Sequence, residues 1–175
     1  MIEQIILNIF LALIPAAAVV ITVWFFLKQQ LTKDSRNLQF ELKKERQTFF
    51  LPLRVEAYQR GALLMERIHP GSLVMRLHNP GEPAKKFQSD ILQAIRSEYD
   101  HNVAQQLYIS PQIWQMLKNS KEETIKIINI AGNQMHATST STDLAGKIFE
   151  IIAEVGTLPT EITIEALKKE LQDLF

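Results

Sequence analysis

The strongest constraint on how this chain can fold is an apolar run near its start, at residues 5–27. The run reads IILNIFLALIPAAAVVITVWFFL, and no charged residue lies between Glu3 and Lys28. A helix that crosses the hydrocarbon core of a bilayer needs about 20 apolar residues. No basic residue precedes the run and its small residues lie well before its polar end, so it differs from a cleaved signal peptide. The sequence therefore predicts a transmembrane helix over residues 5–27, within an anchor formed by residues 1–27.

Charge is distributed unevenly around this run. Residues 28–60 contain eight basic and four acidic residues, whereas residues 61–175 contain eleven and fourteen. Because cytoplasmic flanks are enriched in Lys and Arg, we expect the N-terminus outside and the C-terminal part in the cytoplasm, with the lipid bilayer as one partner. The mildly acidic body argues against nucleic acid as a partner.

Three residues of the predicted span are candidates for contacts between helices. Ala12 and Ala16 form a small-xxx-small pair that would let two helices approach closely, and Pro15 would kink the helix. An alanine-containing span that needs no partner is the alternative.

A basic helical stalk is expected over residues 28–51, where Gly is absent and Gln, Lys, Glu and Leu are frequent. Its apolar residues follow a heptad-like pattern in which two of six seam positions are polar. The pattern predicts either a coiled coil with a partner or a single amphipathic helix packed on the protein itself or on the membrane surface. The seam positions are Leu31, Ser35, Leu38, Leu42, Glu45 and Phe49.

The remaining chain reads as helices separated by turns. A helical core is expected over 52–135, with helices from Leu53 to Ile68, from Ala84 to Leu107, and from Pro111 to about Gly132 or Met135. Pro52 marks either the start of the first of these helices or a kink. Residues 136–142 (HATSTST) suggest a mobile linker, and residues 143–175 a C-terminal helical pair. The predicted fold class is all-α: a transmembrane helix, a stalk, and a cytosolic bundle of five or six helices.

Two amides lie within the apolar stripe of the helix predicted over 84–107. Asn102 and Gln106 project into that stripe at 100° per residue. Buried amides need hydrogen-bond partners and often fix helix register or oligomeric state, so both residues are candidates for an interaction surface. The alternative is a wet edge of the stripe.

The sharpest chemical pattern is a pair of E-x-x-H motifs, Glu66 to His69 and Glu98 to His101. Di-iron helical bundles use two such motifs with two further glutamates. Here His69 directly precedes Pro70-Gly71 at a helix end, and no complete ligand set is visible. The chain has no cysteine and no glycine-rich phosphate-binding loop, so no cofactor is expected.

Several segments resemble those of a known family. FFLPLRVEAYQRGALLMERI, LVMRLHNPG and SEYDHNVAQQLYIS, followed by a helix with Trp114, are similar to an uncharacterised family of short single-pass bacterial membrane proteins. The resemblance covers nearly the whole chain. It implies the same single-pass topology at the bacterial inner membrane, and no assigned activity.

These features favour a non-catalytic, membrane-anchored helical interaction or scaffold protein that is oligomeric or holds a membrane-associated protein partner. One alternative is a metal-dependent helical-bundle enzyme that uses Glu66, His69, Glu98 and His101. Another is an accessory subunit of a larger membrane complex.

Overall fold

The computed structural model describes residues 2–173, with the backbone alone at residues 2–10, 12–16 and 31–38. Contacts divide the chain into two units, residues 1–50 and 51–175. Within the described residues the fold is all-helical, apart from an isolated bridge between Pro83 and Thr140. The helices are α1 (Ile2–Ile68), α2 (Pro70–Leu77), α3 (Ala84–Asn102), a 3-10 helix (Val103–Leu107), α4 (Pro111–Asn133), α5 (Ser141–Val155) and α6 (Pro159–Gln172).

The predicted transmembrane helix over residues 5–27 is corrected by the structure. Among the described residues, no helix combines the length and the apolar character that crossing a bilayer requires. The continuous run of described side chains in the predicted span extends from Ala17 to Leu27. The rest of the span, except Leu11, has no described side chains.

The inner-membrane localisation was inferred from that helix and is corrected with it. The same holds for the topology, with the N-terminus outside and the C-terminal part in the cytoplasm. The all-α class is confirmed, because every regular element between residues 2 and 173 is a helix.

Pro52 does not begin a helix, which is one of the two roles that the sequence left open. It lies inside α1, which runs from Ile2 to Ile68. A proline inside a helix removes one backbone hydrogen bond and is costly. The neighbouring Gln, Lys, Glu, Arg and Leu residues favour helix strongly, which explains why the helix continues through it. The boundary between the two contact units falls beside this proline, at residue 51.

The second unit is built around one apolar core. Each of its α-helices contributes a buried stripe, since apolar residues recur every three or four positions. Gly61 of α1 allows close packing, because a Cβ atom there would lie 3.3 Å from side-chain atoms of both Ile109 and Leu167. The largest fully buried side chains are Tyr58, Phe87, Leu64, Met65, Ile68, Leu73, Ile91, Ile95, Leu117, Ile128, Leu144 and Ile148.

A buried polar seam joins α4 to α6. The hydroxyl of Ser120 lies 2.8 Å from that of Thr163 and donates to the carbonyl oxygen of Pro159 at 2.9 Å. Thr124 donates back to the carbonyl oxygen of Ser120 within α4. Because these hydroxyls are satisfied locally, small polar residues replace apolar ones here without leaving these groups unpaired.

One carboxylate links three parts of the second unit. Glu170 of α6 accepts hydrogen bonds from the hydroxyl of Tyr58 in α1 at 2.5 Å and from that of Ser110 at 2.8 Å. Ser110 is also the N-cap of α4, where its oxygen accepts from the backbone N–H of Ile113. Burial and the bond to Glu170 raise the pKa of Tyr58 above its ordinary value.

The segment over residues 136–142, predicted as a mobile linker, is bonded to the loop before α3. The Ala84 N–H donates to the Ser139 carbonyl, and the Ser141 N–H donates to the Glu82 carbonyl at 2.7 Å. Ser141 also donates its hydroxyl to the Asn79 carbonyl at 2.6 Å. Thr140 then caps α5 through reciprocal hydrogen bonds with Asp143. The two loops therefore hold α5 against the same molecule.

The Tyr58 contact gives a test of this fold. In Tyr58→Phe the Glu170 carboxylate loses one donor, and we expect the free energy of unfolding to fall by ~1–2 kcal/mol. Because the pKa of Tyr58 is raised in the folded state, its contribution is complete below the ordinary value of 10.0 and is lost as the pH rises through the folded-state pKa. Urea unfolding between pH 7 and pH 11 checks both effects, since the gap between the wild type and Tyr58→Phe should narrow in alkali. A gap that stays constant over this range would contradict the assignment.

Candidate interaction surface

The first E-x-x-H motif does not form a pair of ligands. Glu66 is exposed near the end of α1. His69 lies between α1 and α2 as the N-cap of α2, where its Nδ1 accepts from the Gly71 N–H at 3.2 Å. Its Nε2 lies 3.8 Å from a carboxylate oxygen of Glu161 in α6. His69 thus has a structural role at a helix start, which the adjacent Pro70-Gly71 already suggested.

The second motif is also occupied by protein contacts. Glu98 is largely buried, and its carboxylate lies 3.1 Å from Nη1 of Arg67 and 3.6 Å from Nη1 of Arg76. His101 is exposed, and its Nδ1 donates to the Ser97 carbonyl one turn earlier at 2.6 Å. Two arginines therefore balance the negative charge of Glu98, so its carboxylate is poorly suited to bind a metal ion.

Among the described side chains, no group of three His, Asp or Glu residues lies close enough together to hold a metal ion. Glu98 and His101 of the second motif line a groove between α1 and α3 with a volume of about 440 Å³, whereas Glu66 and His69 do not. Its lining mixes charges of both signs with one apolar side chain: Arg60, Leu63, Arg67, Ser97, Glu98, His101 and Asn102.

The two amides of the predicted interaction surface lie at the end of α3 and in the 3-10 helix that follows. Asn102 is half-buried, and its side-chain NH₂ donates to the Glu98 carbonyl at 2.8 Å in the last turn of α3. Gln106 is exposed in the 3-10 helix that follows. Asn102 therefore serves the end of its own helix. The side chains of Ala12, Pro15 and Ala16 lie outside the described residues.

One unpacked surface lies on α1 within the first unit. Every side chain from residue 39 to residue 50 is exposed, although four of them are large and apolar. Phe40 and Phe49 are each 68 % exposed, and Leu42 and Phe50 are 44 % and 48 % exposed. We call residues 39–50 the open segment of α1. Monomeric soluble proteins rarely leave such side chains uncovered together, so the segment is a candidate interaction surface.

The side chains of residues 17–30 are exposed as well. The large apolar ones among them include Trp24 and Phe25, which are 60 % and 64 % exposed. Lys28 lies over the Trp24 ring, with its Nζ atom 5.0 Å from the ring centroid. Here apolar residues surround the whole helix, whereas in the open segment they alternate with charged ones.

Comparison with known proteins adds one relationship. A family of unknown function, DUF7935, matches residues 4–174. The chain belongs to this family. The match agrees with the resemblance to an uncharacterised family and carries no information on membrane insertion. No curated protein and no solved structure matches the chain.

Sequence reasoning identified only part of this site. The heptad pattern includes Leu42 and Phe49, but Phe40 and Phe50 lie outside it. The signal for them was the density of large apolar residues in an otherwise charged segment. Arg67 and Arg76, which hold Glu98, are far apart in sequence from that residue and were not predicted.

The contacts of Glu98 predict how the E-x-x-H residues respond to change. In Glu98→Gln the two arginines lose a charged acceptor, and we expect unfolding to become easier by ~1 kcal/mol. Added Mn²⁺ or Fe²⁺ should leave the melting temperature of the wild type unchanged, because its carboxylate is already paired. Thermal unfolding with and without metal checks this, and a metal-dependent rise that Glu98→Gln abolishes would support a metal site instead.

Proposed function

We propose that this protein is a non-catalytic helical interaction protein that self-associates through the open segment of α1. The observation that carries the proposal is the exposure of large apolar side chains throughout residues 39–50. Helices in proteins owe most of their stability to tertiary packing of an apolar face. A segment that contains Phe40, Leu42, Phe49 and Phe50 without any such packing is suited to bury them against another chain.

The spacing of the open segment favours a second helix as the partner. Leu42 and Phe49 are seven residues apart and therefore lie within about 20° of each other around the helix. Glu45 lies between them on the same side. This is the arrangement of a coiled-coil seam, in which apolar residues of two helices interdigitate.

A second copy of the chain is the simplest partner, because both copies then present the same seam. Self-pairing needs no other molecule with a matching repeat, and two-fold interfaces are the commonest form of protein assembly. Each copy would contribute its second unit, which contains α2–α6, to the dimer. In this proposal the protein acts by bringing two such units together.

The open segment offers a matched pair of substitutions. Phe40 and Phe49 have the same side chain and the same exposed fraction, 68 %. They are nine residues apart, which places them on opposite sides of the helix. We expect Phe49→Lys to weaken self-association at least tenfold, equivalent to ~1.4 kcal/mol, and Phe40→Lys to change it little. The difference arises because only position 49 lies in the seam.

The measurement is the mass of the full-length chain over a range of concentrations, by sedimentation or light scattering. A mild detergent covers the apolar side chains of residues 17–27, so that the open segment is the part under test. Circular dichroism confirms that both variants keep the helical content of the wild type. A wild-type chain that stays monomeric at every concentration, or equal effects at positions 40 and 49, would count against the proposal.

A further inference from the structure

The charges beside the seam specify how two copies would pair. The inference rests on the proposed self-association and concerns its geometry. With Leu42 and Phe49 at the first position of successive heptads, Glu45 takes the fourth position. Glu41 then takes the heptad position directly before Leu42, and Arg46 takes the position directly after Glu45. These flanking side chains are the ones that contact the partner helix in a coiled coil.

We infer that two copies pair as a parallel, in-register coiled coil, joined by ion pairs between Glu41 of one copy and Arg46 of the other. In a parallel, in-register pair, the residue directly before the first heptad position faces the residue of the partner helix whose number is five higher. Glu41 and Arg46 are five residues apart and carry opposite charges. The two-fold relation makes the contact twice.

Both side chains are accessible to a partner helix. Glu41 and Arg46 are exposed, and in the described part of the chain neither is within ion-pair distance of an opposite charge. An antiparallel pair centred between Leu42 and Glu45 would instead place Glu41 near Thr48 and Arg46 near Gln39. That arrangement gains no ion pair, so the flanking charges of Glu41 and Arg46 favour the parallel one.

Glu45 limits the stability of the paired helices. In the parallel arrangement each Glu45 faces the same residue of the partner across the seam, where two carboxylates disfavour close approach. Arg46 of the partner lies next to this layer and offsets part of the repulsion. A polar residue at one seam position costs stability and fixes register, which suits an assembly that forms and separates rather than a permanent one.

Charge reversal tests the ion pair. Glu41→Arg and Arg46→Glu each place like charges together in the parallel pair, and we expect each to raise the dissociation constant about threefold to tenfold. The double variant restores opposite charges with the sign exchanged, and its dissociation constant should return towards that of the wild type. Lys43→Glu, which lies away from the seam, is the control for a general effect of charge.

Cysteine crosslinking tests the direction of the two helices independently. The natural chain has no cysteine, so each introduced thiol is the only one present. In a parallel, in-register pair Glu45→Cys lies opposite its own copy and should form a disulfide-linked dimer when oxidised with copper phenanthroline. Gln47→Cys, on the outer side of the helix, should crosslink far less.

The results separate this inference from the proposed function. A dimer that resists Glu45→Cys crosslinking, but crosslinks when Leu42→Cys and Glu45→Cys chains are mixed, would show antiparallel pairing and overturn the parallel geometry while self-association stands. Failure of the double variant to recover would likewise overturn the ion pair. A chain that remains monomeric would overturn both.

Discussion

The structure depends on how α1 buries its apolar side chains, because this single helix is packed in one stretch and uncovered in another. Between Ala57 and Ile68 most of its apolar residues are buried within the second unit, and Leu63 is the large exception. From residue 39 to residue 50 the same helix exposes every side chain, including three phenylalanines. A helix gains little from backbone propensity alone, and what stabilises it is the burial of an apolar face. Residues 39–50 therefore lack, within a single chain, the apolar burial that stabilises a helix.

In the second unit, by contrast, the apolar faces of the helices are buried. Its helices surround one apolar core, and several of the polar groups that enter it are paired between helices. The hydroxyl pair of Ser120 and Thr163 and the Glu170 carboxylate each satisfy groups from two or more helices. These contacts are specific as well as stabilising, because a shifted helix would leave the same groups buried without partners. A unit held in this way can be presented by an assembly without depending on it for its own fold.

The sequence predicted the helices of the second unit well and their connections poorly. Apolar periodicity located the stripes that contain Phe87, Ile91 and Ile95, since burial of one face leaves a regular pattern in the sequence. It could not reveal that residues 139–141 bond to the loop before α3. Those bonds use backbone groups, and any Ser/Thr-rich segment can supply them. The pairing of Glu98 with two arginines was equally hidden, because ion pairs between distant positions leave no periodic signal. The apolar run at 5–27 gave the strongest signal and the wrong conclusion.

The candidate surface was only partly predictable for a related reason. A heptad pattern states which residues share a face, but it does not state whether that face is packed on the same molecule. The structure decides this point for residues 39–50, where no described side chain is buried. Once the face is known to be open, the residues beside it acquire meaning that periodicity alone did not give them. Glu41 and Arg46 change from two surface charges among many to the pair whose spacing distinguishes parallel from antiparallel helices. The sequence contained that information, and the exposure of the segment made it interpretable.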